Sequence, residues 1–152
     1  MRNIRNKFKK PRVPWNIIEL KKDRQVMNKY GLRRKKELWL ARESLRQFRQ
    51  RARKLISAND QEKEKILIDK MLKFGLLQKG QGLDDILALD ITNILDRRLQ
   101  TVVLKRGIAK AIKESRQMIT HGHIIIEGRR NKFPSYMVPI EQEGNIIKNG
   151  GG

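Results

Sequence analysis

The side chains best able to do chemistry in this sequence are arginines and lysines that recur at regular spacing. Four arginines repeat at intervals of four, three and four residues: Arg42, Arg46, Arg49 and Arg53. Side chains at that spacing lie along one face of a helix, and guanidinium groups bind phosphate oxygens through paired hydrogen bonds. The pattern therefore predicts phosphate contact, and a solvated basic face on a core helix is the alternative.

A second basic group surrounds a predicted tight turn near the end of the chain. It comprises Arg129, Arg130 and Lys132 after Gly128, together with Lys110, Lys113 and Arg116 on a preceding predicted helix. These side chains can converge on one face, where the backbone oxygens of a nucleic acid would lie. Because only 5% of the residues are aromatic, we expect recognition of shape and backbone, with little base-specific readout.

Residues suited to catalysis or metal binding are sparse. The chain has no cysteine, which excludes disulfides, thiolate zinc sites and a cysteine nucleophile. His121 and His123 share one face of a predicted strand without a nearby carboxylate, so we expect hydrogen bonds to nucleic acid or to the turn, not a metal site. Gly75 and Gly80 have P-loop spacing, but Gln81 and Gly82 stand where Lys and Ser or Thr are required. We expect no enzyme and no cofactor.

The charge of the chain is divided into two basic blocks. Of 152 residues, 36 are Lys or Arg and 16 are Asp or Glu, a formal net charge of +20. Residues 1–56 hold 20 basic and 4 acidic side chains, residues 57–96 hold 5 and 8, and residues 97–132 hold 10 and 2. Because so large a charge repels itself, a polyanion normally has to neutralise it. The two blocks favour two anionic contacts, or one large anion bound from two sides.

The first block predicts an extended basic arm followed by helices. Residues 1–15 hold the arm, and Asn16 is the predicted cap of a helix that ends at Gly31. In the next predicted helix, residues 34–56, one apolar seam recurs at helical spacing: Leu38, Ala41, Leu45, Phe48, Ala52 and Leu55. Asn59 is the predicted cap of a third helix, which ends at Gly75 and whose buried side comprises Ile66, Leu67, Met71, Leu72 and Phe74.

The second half predicts two helices and a small β element. One helix runs from Asp90 to Gly107 and the other over residues 110–120, followed by a strand at Ile124–Ile126, a turn at Gly128 and a partner strand over residues 132–137. The fold class is α+β. The predicted domains are an arm (1–15), a helical domain (16–83), a small α+β domain (84–143) and a flexible tail (144–152). Because the longest apolar run has four residues, far below the roughly 20 of a membrane span, we expect a soluble, cytoplasmic protein with no membrane partner.

Several spaced motifs resemble one RNA-binding family. They are Arg97-Arg98-Leu99, Arg116-Gln117-Met118-Ile119, His121-Gly122-His123-Ile124, Gly128-Arg129-Arg130 and Pro134-Ser135-Tyr136. Together they resemble the S-four domain, the RNA-binding module named after small-subunit ribosomal protein four. Residues 11–15 and 29–37 resemble the archaeal and eukaryotic branch of that ribosomal family. The sequence departs from the family pattern at Glu127, where Asn is usual, and at Ser115, where Ala is usual.

The resemblance implies a structural constituent of the small ribosomal subunit that binds a junction in the 5′ domain of the rRNA. It further implies roles in early subunit assembly and translational accuracy, with small-subunit rRNA, neighbouring ribosomal proteins and mRNA near its path into the ribosome as partners. The predicted RNA-binding side chains are Lys35, Lys36, Arg42, Arg46, Arg49, Arg53, Arg97, Arg98, Lys105, Arg106, Lys110, Lys113, Arg116, His121, His123, Arg129, Arg130 and Lys132.

Two alternatives keep the RNA-binding module but assign another function. The first is a free-standing RNA-binding factor that associates with ribosomes. The second is an RNA-modifying enzyme, because the same module is appended to pseudouridine synthases and to some tRNA synthetases. The residues that precede Asp84 read as helices without a catalytic set, which disfavours the enzyme.

Overall fold

The computed structural model describes residues 7–149; residues 1–6 of the predicted arm and 150–152 of the predicted tail lie outside the described residues. The helices are α1 (Ile17–Lys29), α2 (Lys35–Ala58), α3 (Gln61–Lys73), α4 (Leu83–Ala88), α5 (Ile91–Asp96), α6 (Leu99–Lys105), α7 (Ile112–Thr120) and α8 (Ile140–Glu143). The strands are β1 (Ile124–Ile126), β2 (Arg129–Arg130) and β3 (Ile146–Lys148). The predicted α+β class is confirmed.

The apolar seam of α2 organises the first core. Leu38, Ala41, Leu45 and Ala52 are buried, while Phe48 and Leu55 pack partly buried against the same cluster. Helix α1 packs beside α2 and begins at Asn16, whose side-chain oxygen accepts a hydrogen bond from the backbone N–H of Ile18 at 3.1 Å. The predicted seam and the predicted cap are therefore confirmed.

Two expectations for α3 are wrong. Its cap is Asp60, whose side chain accepts from the Lys63 N–H at 3.3 Å, while Asn59 ends α2 with a φ of 51°. Asn tolerates the left-handed conformation that commonly ends a helix. Asn59 therefore ends α2, and the residue after it caps α3. Ile66, predicted to be buried, is 68% exposed. Leu67 and Met71, four residues apart, define the inner face instead.

The chain is divided between two cores at Arg97 and Arg98. The first core includes the apolar residues of α4 and α5, and the second runs from Leu99 to Ile146. The division between cores thus lies later than the boundary predicted before Asp84. The single helix predicted from Asp90 is also wrong, because the chain leaves the helix at Arg98, which pairs with Met137 in an isolated β-bridge.

The second core is covered by α6, α7 and a three-stranded antiparallel sheet in the order β2-β1-β3. Strand β1 pairs with β2 through a turn at Glu127 and Gly128, whose φ angles are 48° and 79°. The partner strand predicted over residues 132–137 is therefore wrong, because the two-residue turn returns the chain at Arg129. The flexible tail predicted from residue 144 is wrong over β3, because Ile146 is buried opposite Ile126.

The described part of the arm packs against α2. Residues 7–15 form neither helix nor strand, and the Phe8 ring lies 5.6 Å from the Trp39 ring, centroid to centroid. Lys36 Nζ lies 5.7 Å from the centre of the Phe8 ring, within cation–π distance. These contacts bring the basic arm to the same helix that carries the arginine series.

Candidate nucleic-acid interface

A basic groove lies between the two cores. It has a volume of about 400 Å³, and its walls come from the start of α2, from Arg98 and Arg116, and from the segment Pro134, Ser135 and Met137. Its charged lining residues are Arg33, Arg34, Lys36, Glu37, Arg98 and Arg116. Five of these six residues are cationic, so the groove has the sign of charge that attracts a polyanion.

Glu37 is the single acid in the lining of the groove, and it is already bound by two arginines. Its Oε2 accepts from Arg98 Nη2 at 2.7 Å, and its two oxygens accept from the Arg116 guanidinium at 2.9 and 3.1 Å. Arg98 is 5% exposed, and its Nε is buried without a hydrogen-bond partner among the described residues. This carboxylate therefore joins α2 of the first core to both α6 and α7 of the second.

The two arginines bound to Glu37 lower the pKa of its carboxyl group. Burial raises the pKa of Glu37, but the hydrogen bonds from Arg116 and the charges of Arg98 and Arg116 outweigh burial, so the net pKa lies below its usual value. Burial lowers the pKa of Arg98, against the opposing charge of Glu37. Since a guanidinium stays charged at neutral pH, Glu37 and both arginines form an ionised network there.

Gln100 completes the junction with polar contacts of its own. Its side-chain Nε2 donates to the carbonyl of Gly31 at 3.2 Å and to that of Ile112 at 3.0 Å. Gly31 has a φ of 58°, and a Cβ at this position would lie 2.8 Å from Gln100 Nε2. The approach of the two cores therefore requires glycine at position 31.

The arginines of α2 differ in what they contact. Arg42 binds the buried carboxylate of Asp23, and Arg46 pairs with Glu43 one turn earlier. Arg49 donates to the carbonyl of Leu89 at 2.5 Å, so this guanidinium joins α2 to the segment after α4. Arg53 is exposed and has no hydrogen bond or ion pair within residues 7–149. Asp23 and Leu89 are distant in sequence from the arginines that they contact, so the spacing of the arginines did not indicate either partner.

The surface around the β1–β2 turn carries exposed predicted residues. Arg129 and Arg130 are exposed along β2, and His121 and His123 are exposed with their rings 6.2 Å apart. The Lys132 side chain covers Gly122, because a Cβ there would lie 3.3 Å from Lys132 Cε. Lys132 is therefore placed beside the histidine pair, whereas Arg116, which was predicted to converge with it, is bound by Glu37. Lys110 and Lys113, near the start of α7, are also exposed.

Several other predicted residues have partners inside the protein. Arg97 Nη1 lies 2.9 Å from Glu143, and its Nη2 donates to the carbonyl of Val138 at 3.0 Å. Arg106 donates to the carbonyls of Glu143 and Ile146, which attaches β3 to the end of α6. Lys105 Nζ lies 3.4 Å from Asp96. These contacts hold the helices and strands that carry the basic surface in place, as do the contacts of Arg49, Arg98 and Arg116.

The exposed members of the predicted set whose side chains form no ion pair or hydrogen bond within residues 7–149 are therefore open to a partner. Lys35 and Lys36 at the start of α2 belong to this group, as do the two histidines and the basic residues around the turn. Sequence reasoning missed Arg33 and Arg34 in the groove, although both belong to the run of four basic residues that ends in Lys36. It also missed Lys9 and Lys10, which line a shallow cavity with Arg42 and Arg46.

No group of three or more His, Asp and Glu side chains within residues 7–149 is arranged to hold a metal ion. None of the helices described is both long enough and apolar enough to cross a membrane.

Comparison with known proteins identifies close relatives. The family model of the S4 domain matches residues 97–143, the segment that begins where the two cores divide. Small ribosomal subunit protein uS4 of Sulfurisphaera tokodaii is 47% identical over 146 residues, which cover 93% of this chain and 82% of the relative. The uS4 proteins of Ignicoccus hospitalis and Sulfolobus acidocaldarius are 44% and 46% identical, over 93% and 96% of this chain and 87% and 85% of each relative.

Proposed function

We propose, from the premise that the chain belongs to the uS4 family of small ribosomal subunit proteins, that it is a structural rRNA-binding component of the small subunit. In this role it has no catalytic activity. It binds a junction in the 5′ domain of the rRNA early in assembly, contacts neighbouring ribosomal proteins, and lies near the path of mRNA into the ribosome, where it affects translational accuracy.

The observation that carries this proposal is the basic groove between the cores. Its acid, Glu37, is already neutralised by Arg98 and Arg116, so the remaining cations Arg33, Arg34 and Lys36 have no acidic competitor in the lining. A folded RNA junction presents phosphates from several helices, and it can therefore contact the groove and the basic turn of the second core together. Binding to phosphates from two cores also accounts for the two basic blocks of the sequence.

The different contacts of the individual arginines support the same function. Arg49, Arg97, Arg98 and Arg116 are buried or half-buried and join elements together, while Lys35, Arg53 and Arg129 are exposed without an ion pair or hydrogen bond of their side chains within residues 7–149. Contacts to phosphate position a protein on RNA without reading its sequence. The exposed histidines and Lys132 provide additional hydrogen-bond donors at the turn.

The proposal is tested by RNA affinity as a function of salt. For about 6 to 10 phosphate contacts, affinity for a 5′-domain rRNA fragment should fall about 10³- to 10⁵-fold between 50 and 200 mM salt. Arg33→Ala with Arg34→Ala, and separately Arg129→Ala with Arg130→Ala, should each lower the slope of log affinity against log salt by about 1 to 2. Their thermal unfolding should stay close to that of the wild type.

Lys70→Ala with Lys73→Ala is the matched control, because it removes the same charge from an exposed face of α3. If this control weakens binding as much as the other pairs, net charge alone drives association and the proposed interface is wrong.

In a second measurement, the protein should remain stoichiometric on small subunits after a moderate salt wash. A free-standing factor would be removed by the same wash, and measured turnover on uridine or tRNA substrates would favour an enzyme.

A further inference from the structure

A cluster of large apolar side chains at the junction of the arm and α1 is exposed. Trp15 is 83% exposed, and Val13, Ile17 and Ile18 are each more than 60% exposed. Large exposed apolar side chains this close together in the chain are typical of surfaces that bind another molecule. The role already described for the basic groove does not involve this cluster.

Contacts within residues 7–149 do not account for Trp15. It precedes the cap residue Asn16, a position from which an apolar side chain can pack on Leu20 in the first helical turns. Trp15 and Leu20 do line one cavity of about 280 Å³, which also touches Trp39. The exposure of 83% nevertheless leaves most of the indole uncovered. Trp39 differs, because the Phe8 ring lies against it and it is half-buried.

The charges around the indole indicate what covers it. Residues 7–22 contain six Lys or Arg side chains and one acid, Glu19. The next acid along the chain, Asp23, is buried and bound by Arg42. Protein-binding surfaces are depleted in lysine, whereas an aromatic side chain among cations is the arrangement that binds unpaired nucleotides. The ring stacks on a base while the cations contact its flanking phosphates.

We propose that Trp15 is a stacking platform for an unpaired base of the RNA, with lysines and arginines of the arm and of α1 binding the adjoining phosphates. This inference rests on the proposed rRNA-binding function and adds a contact to a base to the contacts with phosphates.

The test compares Trp15→Ala, Trp15→Phe and Ile66→Ala for binding to the 5′-domain rRNA fragment. Trp15→Ala should weaken binding about 5- to 140-fold, the range found when a stacking aromatic residue is removed. The salt slope should not change, because no phosphate contact is lost. Trp15→Phe should recover most of the affinity, since phenyl also stacks. Ile66 is exposed on α3, away from the basic blocks, and Ile66→Ala should bind as the wild type does.

A fully paired RNA of the same length distinguishes stacking of Trp15 on a base from contact with the RNA backbone. Trp15→Ala should bind that duplex as well as the wild type does, because a duplex has no free base. In a Trp39→Phe background, where Trp15 is the single tryptophan, the fragment should quench the fluorescence and the duplex should not. Unfolding curves of each variant confirm that the proteins compared are folded.

Two results would overturn the inference. The first is wild-type affinity of Trp15→Ala for the 5′-domain fragment, and the second is an equal loss of affinity on fragment and duplex. If the first result were accompanied by loss of the Trp15→Ala protein from reconstituted small subunits, the cluster would be assigned to a protein neighbour. Failure of the wild type to bind the fragment would instead refute the proposed function, so the two failures are distinguishable.

Discussion

Removing the carboxylate of Glu37 should destabilise the protein strongly, because it leaves two guanidinium groups without their shared partner. Glu37→Ala abolishes the 2.7 Å contact with Arg98 and the bidentate contact with Arg116. Breaking a buried ion pair by removing one partner costs about 3 to 5 kcal/mol. The Arg98 side chain is 6% exposed and cannot rehydrate in place, whereas that of Arg116 is 25% exposed and can reach water. We therefore expect a loss near the lower limit, about 3 kcal/mol.

Urea unfolding measures this change, with Glu43→Ala as the matched control on the same helix. Glu43 pairs with the largely exposed Arg46 only one turn away, so its removal should change the unfolding midpoint much less. Adding Arg98→Met to Glu37→Ala should restore part of the lost stability, because it removes the uncompensated buried charge. A Glu37→Ala midpoint equal to that of Glu43→Ala would refute the reasoning, as would a double variant less stable than Glu37→Ala.

The same network predicts a pH dependence. The pKa of Glu37 is lower in the folded protein than its ordinary value of 4.5. Its contribution to stability should therefore be complete above pH 4.5 and should be lost as the pH falls through the folded pKa. Glu37→Gln should lack this acid-dependent component of unfolding. If the wild type and Glu37→Gln lose stability in parallel below pH 4.5, Glu37 is not ionised in the network.

Two further variants test the core and the β1–β2 turn. Leu45→Ala should lower the free energy of unfolding by about 2 to 5 kcal/mol in thermal or urea denaturation, because Leu45 is 7% exposed within the α2 seam. At temperatures where the variant is folded, its RNA affinity should match that of the wild type. A loss of affinity at those temperatures would place Leu45 in the interface. Glu127→Asn should raise the melting temperature slightly and strengthen RNA binding, since Asn tolerates a φ of 48° better than Glu and removes a negative charge beside Arg129. A lower melting temperature for Glu127→Asn would mean that the 3.0 Å hydrogen bond from Gln142 to Glu127 outweighs the backbone strain.

The elements with strong local periodicity were predictable from sequence. The seam of α2, the cap at Asn16 and the strand Ile124–Ile126 each depend on residues close in the chain, and all three are confirmed. The predictions of a helix cap and a strand pairing that were wrong concern positions where neighbouring residues compete for the same role. Asn59 and Asp60 could each cap α3, and the two-residue turn at Glu127 decides where β2 begins.

The functions of the individual arginines could not be assigned from sequence. Arg98 and Arg116 belong to motifs that resemble RNA-binding residues, yet both are bound by Glu37, which precedes them by 61 and 79 positions. Arg129 and Arg130 have the same side chain, but they are exposed and form no ion pair within residues 7–149. Whether a guanidinium holds the fold together or faces a partner depends on which distant carboxylate or carbonyl reaches it.

The order of residues was sufficient for the basic character of the protein and its helical seam, because charge and periodicity are properties of the chain itself. It was sufficient for the family because the motifs that resemble it are short runs of neighbouring residues. Only the folded arrangement decided that Glu37 is the junction of two cores, that β3 closes the sheet and that Trp15 lies open. Each of these depends on contacts between segments far apart in the chain, and such contacts form only when the cores pack together.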